Sequence, residues 1–241
     1  MFAKNIVTRG GDKFRDEYSL AFDGTNDYIV VGDDSSLDIT DKITLSVWIK
    51  PTDVSQSWQG VIAKGDLSAT GDVYQIVIDN GQKFRVRLNN SASLSSGTLS
   101  NNTWYHVCST YDKDAGGTDE HKLFIDGVLV DTADYSSAIN TNNDPLHIGI
   151  FEGSANCFFG NMSEVAIYDS ALTANQVKTI YNGREPYNHK EGVASGNLTS
   201  WYRMGDGLEN HSGTTIYDMS DNTNNGTMTN MSADDFEGDT P

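Results

Sequence analysis

Short runs of alternating apolar and polar residues, punctuated by Gly, Asn, Asp and Ser, recur along most of this chain. From Tyr18, "YSLAFDG" breaks at "TND" and resumes as "YIVVG", which predicts two strands joined by a turn. In "KITLSVWIKP", Ile43, Leu45, Val47 and Ile49 share one face, while Thr44, Ser46, Trp48 and Lys50 share the other. The run stops at Pro51, which has no amide to donate to a ladder. "GVIAKG", "VYQIVIDN", "KFRVRLN", "WYHVCSTYD", "HKLFIDGVLVD", "PLHIGIF" and "FFGNMSEVAIYD" predict further strands. Within "HKLFIDGVLVD", Asp126-Gly127 marks a two-residue hairpin turn. Only "SALTANQVKTIYNG" has a helical period: Leu172, Val177 and Ile180 fall on one side, with Ser170 as N-cap and Asn182-Gly183 as the stop. The pattern predicts an all-β fold, a sandwich of two antiparallel sheets carrying one short helix.

The ends read differently. Residues 1–17 are polar and mixed in charge, an arm with no apolar core of the kind a secretory signal needs. After the main β region at 18–183, residues 184–196 read as a linker. Then "SWYRMGDGLENHSGTTIYDMSDNTNNGTMTN" has the look of a domain's opening strand and turn, yet it stands near the chain's end. Residues 197–241 are too few to make a second sandwich. Trp201, Tyr202, Met204, Ile216 and Tyr217 need a host sheet, so this segment is expected to add strands to the same sandwich or to a neighbour's.

Charge narrows the choice of partner. With 16 Lys and Arg against 34 Asp and Glu, the net charge is −18, and a phosphate backbone would be repelled; no nucleic-acid partner is expected. No run approaches the roughly 18 apolar residues of a membrane span, so no membrane partner is expected either. Cys108 and Cys157 each sit among aromatics, as small buried hydrophobes do; whether they form a disulfide stays open.

In order, "LAFDGTNDYIVV", "ITLSVWIKP", "GVIAKGD", "WYHVCSTYD", "LFIDGVLV", "LHIGIF" and "GNMSEVAIYDSALTANQVKTIYNG" resemble the laminin-G-like, concanavalin A-like jelly rolls from about Ser19 to Gly183. The resemblance implies a jelly-roll sandwich, a fold that hosts lectins, glycosidases, adhesion modules and spacers alike. Members often begin with the strand that here lies at 198–228. The blocks and the tail also resemble structural proteins of marine bacteriophages. That likeness implies a virion-surface component, a capsid decoration or fibre protein, with other virion proteins and self-association as partners. The alternative is a lectin-like module that binds surface glycans, placed on a bacterial cell surface or outside the cell. Several relatives hold a calcium ion at the rim, and the resemblance points to Asp23, Asp27 and Glu164 as its oxygen ligands. The competing use of Asp23 and Asp27 is to satisfy turn amides.

Catalytic signals are sparse. Glycosidases of this superfamily carry Glu-x-Asp-x-Glu on one strand, pointing every carboxylate at one sugar. No predicted strand has it, and Asp235, Glu237 and Asp239 read as a solvated acidic tail. There is no G-x-S-x-G elbow, and the five histidines lack metal-ligand spacing. His106 reads as a sheet histidine. The expectation is therefore a non-enzymatic protein. For sugar binding, Trp58 lies in a polar loop, Tyr74 begins a strand, Arg85 and Arg87 share a solvent-facing strand face, and Asn89 follows. Together these five residues are the candidate cleft.

Overall fold

Alternation decides which side of each strand is buried, and it does so in two stacked layers. The computed structural model describes residues 14–65, 73–117, 119–151 and 156–241. The first sheet contains β1 (Ser19–Asp23), β3 (Lys42–Pro51), β8 (Tyr105–Asp112), β9 (His121–Ile125), β10 (Val128–Ala133), β12 (Phe159–Tyr168), β13 (Leu198–Tyr202) and β16 (Phe236–Glu237). Its order is β10-β9-β8-β3-β12-β1-β16, with β13 also on β12. The second contains β2 (Tyr28–Val31), β4 (Gln59–Lys64), β5 (Tyr74–Ile78), β6 (Lys83–Leu88), β7 (Ala92–Thr98), β11 (Leu146–Ile148), β14 (Thr215–Ile216) and β15 (Gly226–Thr229). Its order is β14-β15-β2-β11-β4-β5-β6-β7. The described pairings are antiparallel, and the core is the space between the layers. Leu20, Leu45, Val47, Ile49 and Met162 from the first sheet meet Ile29, Val31, Ile62, Ile76, Phe84 and Val86 from the second. The two layers make a jelly-roll sandwich with one short α-helix among the described residues.

The C-terminal segment docks onto its own sandwich. β12 is ten residues long, and its two halves have different neighbours on one side. Leu20–Asp23 of β1 pair with the first half, while Leu198–Tyr202 of β13 pair with the second, so β1 and β13 lie end to end. A bulge between Ser163 and Ala166 separates the halves, with Glu164 at φ 51. In the other layer, β15 pairs with β2 and β14 extends that edge. Buried Asp218 holds the turn between them: its carboxylate accepts from the amides of Trp201, Ser220 and Asn224 and from the Ser220 hydroxyl.

Three features depart from the sequence expectation. The helix, α1 (Ala174–Tyr181), is capped by Thr173, not Ser170, because Thr173 and Gln176 form a reciprocal capping box. Asn182 ends it in the left-handed region. Val177 and Ile180 pack on the outer face of the first sheet against Phe124, Tyr168 and Trp201. Residues 184–196, expected as a linker, are packed as well: His189 is buried, and its Nδ1 lies 2.5 Å from the Tyr168 hydroxyl. The acidic end is not a solvated tail. Glu237 accepts from Asn161 and Asp239 from Trp104 and Lys50, and β16 pairs with β1. Of the arm, residues 1–13 lie outside the described residues. Both cysteines are buried, and no disulfide joins them.

Candidate functional site

The helix, residues 184–196, the segment that starts at Phe14 and the C-terminal residues crowd the outer face of the first sheet. The outer face of the second is built from alternate positions of its strands, and polar side chains fall there in register. His147 of β11 stands opposite Ala63 of β4, Ala63 opposite Gln75 of β5, Gln75 opposite Arg87 of β6, and Arg87 opposite Ser93 of β7. The next row brings Gly60, Val77, Arg85 and Ser95 together.

Trp58 sits at the edge of this surface. It precedes β4 with φ 50, half-buried, its ring 5.8 Å from that of Phe151 and seated on Ala63 and Val77. Arg85 and Arg87, two residues apart, bring their guanidinium carbons to 5.8 and 5.1 Å from its ring centre. Asp79 holds Arg85 through one oxygen, at 3.0 Å from Nε and 2.7 Å from Nη2. The other Asp79 oxygen accepts from the amides of Gly81 and Lys83, so that carboxylate is fully engaged. Arg87 has no carboxylate partner among the described residues. Gln75 is buried and donates to Asn90, but its Oε1 has no hydrogen-bond partner. His147 is also buried with an unpartnered Nδ1, and burial pushes its pKa below the ordinary value.

The structure thus joins Trp58, Arg85 and Arg87 and removes two members of the expected cleft. Tyr74 points inward with Ile76 and Ile78, is fully buried, and donates to the Leu37 carbonyl. Desolvation drives its phenol pKa well up. Asn89 is a brace: its amide donates to Tyr135 and Ala138, and its oxygen accepts from Asn140. Gln75 and His147 were missed. Their signal was a polar residue at the outward parity of a strand that has neighbours on both sides.

The expected calcium ligands do not assemble. Asp23 Oδ1 accepts from the amides of Thr25 and Asn26, and Asp27 Oδ2 from that of Asp23, which is the turn-amide use. Glu164 is five positions past Phe159, the partner of Asp23, along an extended strand. It accepts from Trp201 Nε1 and, at 3.1 Å, from Arg203 Nε. Among the described residues no group of His, Cys, Asp or Glu is arranged to hold a metal.

Across the molecule, a pocket of about 240 Å³ is lined by Asp16, Trp48, Glu164, Arg184, Tyr187, His189 and the last two residues. Burial first, then the charge of Glu164, raises the Asp16 pKa to about 9. Glu164 is raised to about 7 by burial, against the opposing pull of Arg203. Paired carboxylates with raised pKa values invite a catalytic reading. Their bonds say otherwise: both Glu164 oxygens are taken, and Asp16 accepts from the Ser163 hydroxyl. The group fastens residues 14–18 to β12 and β13. His106, near this pocket, shares a hydrogen bond with Ser46, and burial lowers its pKa to about 3.

Residues 23–178 match the family of concanavalin A-like lectin/glucanases, and the chain belongs to that superfamily. No curated protein matches it in sequence. Among solved structures it is similar to a Bacteroides ovatus protein proposed to bind carbohydrate, at 21% identity and a TM-score of 0.71. That match covers 93% of this chain but only 60% of the other, so this chain spans less than two thirds of its relative. It is also similar to a heptameric SAP-like pentraxin from Limulus polyphemus (16% identity, TM-score 0.53, 69% of this chain and 82% of the other). A third match is the carbohydrate-binding module of the Ruminococcus gnavus IT-sialidase, bound to α2,3-sialyllactose (18% identity, TM-score 0.51, 68% and 96%). At these identities the likeness is one of fold.

Proposed function

We propose that this protein is a non-catalytic, lectin-like glycan-binding module whose site is the outer face of the second sheet around Trp58. One observation carries the reading: a half-exposed indole is held beside the Arg87 guanidinium, which has no carboxylate partner among the described residues, with the enclosed Gln75 side chain opposite it in register. An aromatic face gives a sugar ring an apolar surface, while fixed polar atoms at its edge order the hydroxyls. The Bacteroides and Ruminococcus matches support carbohydrate binding, and the matches above offer no support for the virion-surface role expected from the sequence. The glycan-binding alternative fits them better.

The test is affinity electrophoresis of the full chain against a panel of neutral and acidic polysaccharides, followed by titration of whichever retards it. Trp58→Ala is expected to weaken binding by about tenfold or more, the loss of a central aromatic anchor. Unchanged retardation of the Trp58→Ala protein, at an unchanged melting temperature, would remove the site from this face.

A further inference from the structure

We infer that the ligand of this face is a carboxylated saccharide, a sugar acid whose carboxylate is received by Arg87; the inference rests on the glycan-binding reading above. The chain is acidic throughout, and most of its described lysines and arginines lie within reach of a carboxylate, among them Lys42, Lys50, Lys64, Lys113, Lys190 and Arg203. Arg87 is an exception inside a polar row. Its neighbour Arg85 stands over the same indole and is neutralised by Asp79, itself buried. Two guanidiniums thus share one ring, and of the two Arg87 has no carboxylate among the described residues to neutralise it.

The chemistry of that charge selects the ligand class. A guanidinium resting near an aromatic ring keeps its planar fork of N–H donors, which matches a carboxylate with two parallel hydrogen bonds. A neutral sugar would leave the cation unpaired on a surface it helps to desolvate. Directly across the β5–β6 ladder, Gln75 Oε1 is a buried acceptor with no donor. That oxygen is enclosed, so what this row offers at its surface is the Arg87 fork beside the Trp58 ring. A sugar acid supplies both a carboxylate for the fork and a ring face for the indole. The overall charge of −18 repels polyanions at long range, so recognition has to come from this short-range contact.

The experiment is calorimetric titration of the full chain with tetragalacturonate, with its methyl ester, and with a sulfated oligosaccharide of equal charge. The acid is expected to bind at least about tenfold tighter than the ester. Arg87→Met should erase that gap, and Arg87→Lys should restore only part of it, because an ammonium brings the charge without the fork. Arg87 is half-exposed, and melting curves of both variants check that they fold. An ester that binds as well as the acid, with binding still dependent on Trp58, leaves the glycan-binding reading standing and overturns this inference. A sulfated ligand that binds as tightly as the acid also overturns it. Failure of every saccharide to bind overturns both.

Discussion

Lys64 lies on a central strand with its side chain almost wholly enclosed. Its ammonium donates to Asp33 Oδ1 at 2.7 Å, to the carbonyl and side-chain oxygens of Asn142, and to the Asp144 carbonyl. Four oxygens around one charge is the ligand set of a hard cation, met here by a tethered ammonium. Asp33 is open to solvent, but the carbonyls of Asn142 and Asp144 lose their donor, so Lys64→Met should cost about 1–3 kcal/mol of stability in denaturant melts. Lys64→Ala, which also leaves space, should regain part of its melting temperature in millimolar calcium while the wild type does not. A Lys64→Met protein as stable as wild type would show that the ammonium contributes no net stability. At this scale the sequence was partly readable. Arg85 and Arg87 were placed correctly by strand parity. Tyr74 was not, although its alternation with Ile76 and Ile78 already points it inward. Asn89 could not be placed, because its partners Tyr135, Ala138 and Asn140 are brought to it by the fold alone.

At the scale of elements, the segment before β1 is held by a cluster whose protonation matters. The Arg203 guanidinium lies 4.2 Å from the Phe14 ring centre and also bonds the Arg15 carbonyl, while Asp206 accepts from the amides of Glu17 and Tyr18. Asp16 and Glu164 both have folded-state pKa values above the ordinary carboxylate range. The docked state therefore binds more protons than the free segment, and stability falls as pH rises. The stabilisation is full below about pH 4, is eroded as pH passes about 7 where Glu164 ionises, and is lost near 9 with Asp16. Asp16→Asn imitates the protonated form, so its melting temperature relative to wild type should rise by a few degrees between pH 5 and pH 9. A flat difference across that range would refute the protonation of Asp16. Strong patterns such as β3 and β8 were legible from their hydrophobic alternation. β7 was not: "ASLSSGT" has little to bury besides Leu94, and its pairing with β6 makes it a strand. The packing of residues 184–196 escaped notice for a similar reason, since buried His189 shares a hydrogen bond with distant Tyr168.

For the whole molecule, the strands after residue 196 complete both sheets instead of decorating them. They carry Leu198, Trp201, Tyr202, Met204, Ile216, Met228 and Met231 into buried positions. At roughly 1.5–3 kcal/mol for each large apolar side chain, their burial is comparable to the total stability of 5–15 kcal/mol that a typical domain has. A chain ending at Gly183 should therefore fail to fold on its own. It would leave the second half of β12 without β13, and β2 would become a bare edge without β15. The sequence showed that this segment needed a host but offered no means of choosing its own sandwich over a neighbour's, because both satisfy the same backbone groups. Within this one chain, β1 and β13 share β12 end to end, and Asn224 binds both Ser36 and Ser200; strands exchanged between copies would keep the same register. Mixing the chain ending at Gly183 with a separate peptide of residues 184–241 should then restore a one-to-one folded complex, read by circular dichroism and sedimentation. A truncated chain that melts like the full protein would mean that the jelly roll closes without these strands. For the intact chain, sedimentation as a monomer is the outcome self-docking requires, and a dimer that dissociates when residues 184–241 are removed would mean that the tail is exchanged between copies.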